Sequence, residues 1–509
     1  MKQFCRSTVF AALFSLIALS AACLDMSCLD DALGDGKPGP VINAKTAATL
    51  VLYNTDGVYV RNSEERQTIG TVPPMTAKYD ASARFAAAAP ALPFSIRKDL
   101  PGLHEKASFA HGMRAPNAAN NAPVQYVNLN NVTTHTFKAY NADDKAVDIQ
   151  ATKKAEGSKC LIFVENGIED TPEFSWQAQA NLFDTVVWPK NTGIFGEPVI
   201  VDQETGKIII LYFKMRYNNQ KEEPGILGYF WQIDLQTTNL TDQQIKWGYY
   251  SNKMNIFYMN YAYIQFILDN KDRLKIPDDL PQGMPLTEYY LLEMERTLFH
   301  EFQHMINFCV RNLAGKTGMD LWMNEGLAES AEHYGLGTVG ASRINSMNDD
   351  SKGRLSNGWS LVAWTDADDI NYGLVYTFMQ YLRIQCNDWH FMKDLINNAS
   401  GTFAALESVM SARGKTDLNT FPKMLQGYHL ARFINDTTGN GLYSFKNEKS
   451  DFTFITRAPS VAVDSSLKIG PGGAVFIPVD SANLTSYSPS GAGKNIKYAK
   501  TSGGVLLSN

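Results

Sequence analysis

Three side chains in one short stretch can bind a metal and move a proton. Residues 297–308 read TLFHEFQHMINF and set His300, Glu301 and His304 in the order H-E-F-Q-H. On a helix, residues four apart share a face. His300 and His304 can therefore offer two imidazole nitrogens to one ion, at the roughly 2.0–2.1 Å that Zn2+ prefers. Glu301 lies about 100° further round, beside the open position of the ion rather than among its ligands. Zinc lowers the pKa of a bound water to about 7. Glu301 would take its proton as hydroxide attacks a carbonyl carbon, then hand it to the leaving amine. The bland alternative is a polar helix face with solvated histidines. Against it, the motif lies within a helical apolar pattern formed by Leu291, Leu298, Phe302, Met305 and Ile306.

A catalytic zinc needs a third protein ligand and a free position. The histidine-ended metzincin pattern would put Gly at 307 and His at 310. The chain has Asn307 and Val310, which excludes it. An acid from the next helix is the other solution, and W-M-N-E-G-L-A-E supplies Glu325. The intervening stretch is long enough for the first helix to end, turn at Gly315 and Gly318, and send a second helix back. Glu329 lies one turn after Glu325 on the same face. It is placed to accept an N–H from a zinc histidine and fix its tautomer. The competing reading of both is a solvated acidic helix face that also carries Glu332. His333 is a rival ligand, two turns beyond Glu325.

H-E-F-Q-H-M-I-N-F followed by W-M-N-E-G-L-A-E resembles the hyicolysin family of bacterial zinc metallopeptidases, within the thermolysin-like group whose third zinc ligand is a glutamate. Weaker echoes are G-Y-F, S-N-K-M-N-I-F-Y and N-Y-G-L-V-Y-T-F-M-Q-Y-L. The resemblance covers roughly residues 125–440 and is specific over 297–333. It implies that His300, His304 and Glu325 bind zinc and that Glu301 is the general base and acid. It further implies secreted or surface endopeptidase activity on protein or peptide substrates. The developing oxyanion also needs a donor, and the wider group often draws a Tyr or His from a later helix. Tyr372 and Tyr376 are the candidates. Tyr372 is favoured because it opens its segment, against the reading of both as core aromatics. His390 and His429 are weaker candidates, since a lone His on an apolar face is usually structural.

The N-terminus reads as a targeting segment over residues 1–22. Lys2 and Arg6 are positive, VFAALFSLIAL is apolar, and ALSAAC brings small residues up to Cys23. This resembles the lipobox of bacterial lipoproteins, with Ser20 where Leu is usual. Cys23 would then carry lipid, and several acyl chains hold a protein stably on a membrane. An ordinary secretory signal cleaved near Ala22 is the alternative. The expected location is the bacterial cell envelope, lipid-anchored at the outer membrane or cell surface, outside the cytoplasm. The remaining cysteines are sparse and form no C-x-x-C pair, so no disulfide framework is expected. Net charge is -6 with no long basic run after the N-terminus, which argues against nucleic acid as a partner.

Residues 23–124 read as a tether. They hold a short hairpin around the D-G turn of ATLVLYNTDGVYVRN and an Ala/Pro-rich linker over 76–124, a candidate site of proteolytic maturation. THTFKAY, AVDIQATKKA, KCLIFVEN, KIIILYFKMRY, GILGYFWQIDL and MNIFYMNYAYIQF read as strands. After Pro285 the period becomes helical. Thr287 can cap the first helix, and WMNEGLAESAEHYG, NYGLVYTFMQYLRIQ and HFMKDLINNA follow. Residues 125–440 form the expected metallopeptidase domain and 441–509 a small β module. The fold class is α+β: a β-rich N-terminal part, a mostly helical zincin-type half and a C-terminal β module.

Two other functions fit these residues. One is a surface lipoprotein that keeps the zincin fold for binding or adhesion. The other is a zinc hydrolase acting on something other than peptides, since H-E-x-x-H specifies the hydrolytic machinery and not the acyl partner.

Overall fold

Apolar runs with no polar alternation belong where both faces of a sheet are covered. The computed structural model describes residues 38–42, 48–57, 66–72, 126–236, 239–277, 280–364, 369–435, 441–464, 466–487 and 490–508. The targeting segment with Cys23 and the linker over 76–124 lie outside these residues. Strands β1 (Ala48–Asn54) and β2 (Gln67–Thr68) come first and serve the C-terminal layer. The main sheet holds β3 (Thr134–Tyr140), β4 (Ala146–Glu156), β5 (Cys160–Glu165), β6 (Ile208–Phe213), β7 (Gly228–Phe230) and β8 (Ile256–Asn260). Its order is β3-β4-β5-β6-β8-β7. The central β5, β6 and β8 run parallel, and their CLIFVE, IIILYF and IFYMN are buried almost throughout. Ile162, Val164, Ile210, Tyr212, Phe257 and Met259 join the core shared with the helices. Leu161, Phe163, Leu211 and Tyr258 pack with Tyr229, Trp231 and Tyr250 in a second core. The molecule is thus α+β, strand-rich first and helical afterwards.

Two expected strands end sooner than their apolar runs. GILGYFWQIDL keeps only β7 and then tightens into a turn at Gln232–Leu235. MNIFYMNYAYIQF stops pairing at Asn260 and becomes helix at Tyr261–Asp269. The Asn260 side chain caps that helix by accepting from the Ala262 N–H at 2.9 Å. An aromatic run reads equally well in either period, so only the capping asparagine marks the change.

The helices that matter for the site are α1 (Trp176–Leu182) and α2 (Trp188–Phe195) between β5 and β6, α3 (Tyr261–Asp269), α4 (Leu286–Phe308) and α5 (Leu321–Leu336). After them come α6 (Ala341–Asp349), α7 (Asp369–Cys386), α8 (Phe391–Asn397), α9 (Phe403–Ala412) and α10 (Phe421–Ile434). Helix α4 starts at Leu286 behind Pro285 with no side-chain cap, so Thr287 lies inside the helix and does not cap it. Its second half, Thr297–Asn307, is buried. Asn191 of α2 donates to Phe299 O at 2.8 Å and ties the crossover to α4. Two glycines let α5 come close to its neighbours. A Cβ at Gly335 would meet the Phe299 ring of α4 at 2.3 Å, and one at Gly326 would meet Met379 of α7 at 2.7 Å. The fully buried Arg311 sets the turn between α4 and α5. It donates to Thr317 O at 2.6 Å, Ile396 O at 3.1 Å and Asn398 O at 2.9 Å. Among the described residues, no helix is long and apolar enough to cross a membrane.

The C-terminal layer differs from expectation at its centre. Strands β9 (Lys468–Ile469), β10 (Ala474–Pro478), β11 (Ile496–Ser502) and β12 (Val505–Ser508) complete the set. The sheet order is β10-β1-β11-β12. Both edges of β1 are thus taken by C-terminal strands, and every residue of β1 is buried. The hairpin arm expected just after the D-G pair, residues 58–62, lies outside the described residues. The first residues after 440 do not belong to this sheet. Phe445 packs between Tyr381 of α7 and Phe452, and Glu448 pairs with Arg383.

Asp234 sits in the second core with no exposure. It accepts from the Tyr258 hydroxyl and the Asn252 N–H. Burial pushes its pKa up to about 8 despite those donors. An acid raised in the folded state ionises first in the unfolded chain, so stability falls as pH rises from about 4 to about 8 and then levels off. Asp234→Asn mimics the protonated form, because the Tyr258 hydroxyl can turn to Lys138 O at 3.3 Å. We expect urea unfolding of the variant to show a smaller stability loss than the parent between about pH 5 and pH 8. Equal losses would show that Asp234 does not set this dependence.

Candidate metal centre

Helix α4 presents His300 and His304 on one face because they are four residues apart. Their ring centroids lie 4.7 Å apart. Helix α5 returns antiparallel enough to lay Glu325 against both. Glu325 Oε2 is 3.1 Å from His300 Nε2, and Oε1 is 3.4 Å from His304 Nε2. One ligand atom from each of the three residues lies within 4.8 Å of the others. Four ligands at 2.0–2.1 Å in a tetrahedron stand about 3.3 Å from one another. Each histidine thus stands about one such edge from a Glu325 oxygen, His300 from Oε2 and His304 from Oε1, and the three residues form a group that could hold a metal ion.

Charge makes the same demand. His300, Glu301, Glu325, Glu329 and Glu332 are all buried. Arg343, also buried, answers Glu329, by donating from Nε at 3.0 Å and from Nη2 at 2.7 Å. Buried carboxylates persist when paired or bound to metal. A divalent cation among His300, His304 and Glu325 would answer the surplus. Without such an ion, a proton does part of that work. Burial by itself would lower the pKa of His300, but the Glu325 and Glu332 carboxylates outweigh it and push it up to about 10. Burial likewise opposes ionisation of Glu325, and the two histidines more than offset it, so its pKa falls.

The expected residues do not all meet. Glu301 is buried near β7, its Cγ 3.5 Å from where a Cβ on Gly228 would stand. Tyr372 lies beside the pair, its ring 6.4 Å from that of His300. Glu329, expected to hold a zinc histidine, keeps 3.9 Å from His300 Nδ1. Glu332 takes that place at 2.8 Å. Sequence reasoning saw Glu332 only as part of an acidic face. Its spacing did carry a signal, since seven residues after Glu325 is two turns on the same face. Arg343 left no signal, because it comes from a separate helix. Tyr376 is engaged elsewhere: its hydroxyl lies 2.9 Å from His333 Nδ1 and accepts from the Gly340 N–H. His333 is thereby occupied, and burial lowers its pKa to about 3. His390 is exposed beside Asp388, and His429 meets Gly472 O at 3.0 Å. Neither joins the centre.

The raised pKa of His300 has a consequence for the chelator-treated protein. A base raised in the folded state adds stability that is full below about pH 6.5 and is lost as pH rises through about 10. We expect the His300 ring proton, followed by NMR in excess chelator, to titrate near the upper value. A midpoint near 6.5 would show that the carboxylates do not govern the ring.

No protein-family model matches the chain. It is similar to the neutral metalloprotease ShpI of Staphylococcus hyicus, with 28% identity over 272 residues. The match takes in 52% of this chain and 54% of that protein, so the chain spans about half the length of the curated relative it matches.

Proposed function

We propose that the chain is a zinc metalloendopeptidase of the hyicolysin type, exported and lipid-anchored in the bacterial envelope. The observation that carries the reading is the Glu325 carboxylate, which reaches Nε2 of both His300 and His304. The similarity to a neutral metalloprotease supports it. His300, His304 and Glu325 would hold the metal. When bound, zinc supplies Lewis acidity, acidifying water and polarising a carbonyl.

The chain's own residues do the rest. Glu301 follows His300 on α4 and faces the side where β7 runs. It takes the proton of the attacking water and delivers it to the leaving amine. Burial keeps bulk water from competing for that proton. Strand β7 ends the main sheet, and an extended peptide can pair with such an edge. That would lay a backbone carbonyl across the face of α4. Tyr372, beside His300, is the proposed donor to the oxyanion. Protein or peptide is the substrate class, and no part is assigned to nucleic acid.

Glu301→Gln keeps size and removes the base. Zinc content should stay at one per chain while casein cleavage falls by about 10²-fold or more. Retained cleavage would remove Glu301 from the mechanism. Zinc with no cleavage in the parent would favour the binding or adhesion reading. The anchor is tested separately at Cys23. Cys23→Ala should abolish incorporation of labelled fatty acid and move the protein from the membrane fraction to the soluble one. An unchanged distribution would dispose of the lipid anchor.

A further inference from the structure

The zinc histidines are supported unequally. His300 has its Nδ1 within 2.8 Å of Glu332 Oε1, whereas His304 Nδ1 is buried with no hydrogen-bond partner among the described residues. Two carboxylates compete for His300: Glu332 at bonding distance and Glu329 Oε1 at 3.9 Å. Arg343 decides between them. Its guanidinium grips both oxygens of Glu329, and a fork of this kind fixes a carboxylate in position as well as in charge. The guanidinium is itself held against the face of Tyr372, with Cζ 4.6 Å from the ring centroid. Helix α6, which carries Arg343, comes this near because residue 373 is glycine. A Cβ there would meet Arg343 O at 2.9 Å and Met347 Cγ at 2.8 Å.

We propose that Glu332 is the positioning residue that fixes the His300 ring for metal binding, and that Arg343 assigns it this role by sequestering Glu329. A carboxylate on Nδ1–H holds the proton on that nitrogen and leaves Nε2 free as the ligand. The glutamate one turn after Glu325 is thus spent on an arginine, and the one two turns after it carries the histidine. This rests on the zinc reading of His300.

Zinc affinity by chelator competition tests it without any assay of cleavage. Glu332→Gln should bind zinc about 10–100-fold more weakly than the parent. Adding Arg343→Met to that variant frees Glu329 to swing across to His300 Nδ1, and it removes one buried positive charge to match the lost negative one. The double variant should recover most of the affinity. A merely structural role for Glu332 would not be rescued by removing a second buried side chain. Should Glu332→Gln fail to fold, Glu332→Asp keeps the charge, shortens the reach by one carbon, and enters the same comparison. An affinity within about threefold of the parent in the single variant overturns the proposal, as does a double variant no tighter than the single. A parent that takes up no zinc overturns both this inference and the metallopeptidase reading. A parent that binds zinc but is indifferent to Glu332 overturns this inference alone.

Discussion

One carboxylate laid between two imidazoles is the contact on which the arrangement depends. Glu325 can reach His300 and His304 together only if α5 packs closely on α4. Gly335 against Phe299 permits that approach on one side, and Gly326 against Met379 permits α7 to close from the other. Arg311 ties the connecting turn to the end of α8 through backbone carbonyls rather than a carboxylate, so the turn is fixed without adding negative charge near the centre. The parallel strands beneath supply a floor buried on both faces, against which α4 cannot rotate without exposing Leu298, Phe302 and Met305.

This arrangement is costly to the fold. Several carboxylates are taken out of water within two turns of α5, and desolvation of that kind is repaid only by good geometry and full pairing. The pairing is divided up: Glu325 goes to the two Nε2 atoms, Glu332 to Nδ1 of His300, and Glu329 to Arg343. Each of these carboxylates thus has a stated partner, and the His300 ring is held at both nitrogens. Rigidity at a metal centre is worth having, because a ligand held in place before the ion arrives loses less freedom on binding.

The grouping of the candidate metal ligands was more legible in the sequence than the details of the architecture. His300 and His304 were legible by spacing, since helical periodicity converts a four-residue step into a shared face, and Glu325 by the need for a third ligand, which W-M-N-E-G-L-A-E could supply. The central strands were legible because burial on both faces leaves unbroken apolar runs. Helices α1, α2, α6, α9 and α10 went unread. Their sequences alternate no more clearly as helix than as loop, and their packing partners are distant in the chain. The swap between Glu329 and Glu332 was invisible for the same reason. Choosing between two acids on one helix needs the position of Arg343, which comes from another. The pairing of β1 with β10 and β11 was not legible, because local turn signals say nothing of which distant strands compete for an edge.

Strand β1 has its own lesson. It lies between β10 and β11, and Thr49 O accepts from the side chain of Thr501. The first strand described is therefore completed only by strands more than 400 residues further along the chain. Loop closure across such a separation is slow and must precede the contacts that reward it. During synthesis β1 remains a buried-type strand with nothing to bury it, an edge open to wrong partners on either side. The order of events is thereby constrained. The sheets and helices around the candidate metal centre can assemble as they emerge, but β1 must wait for β10 and β11.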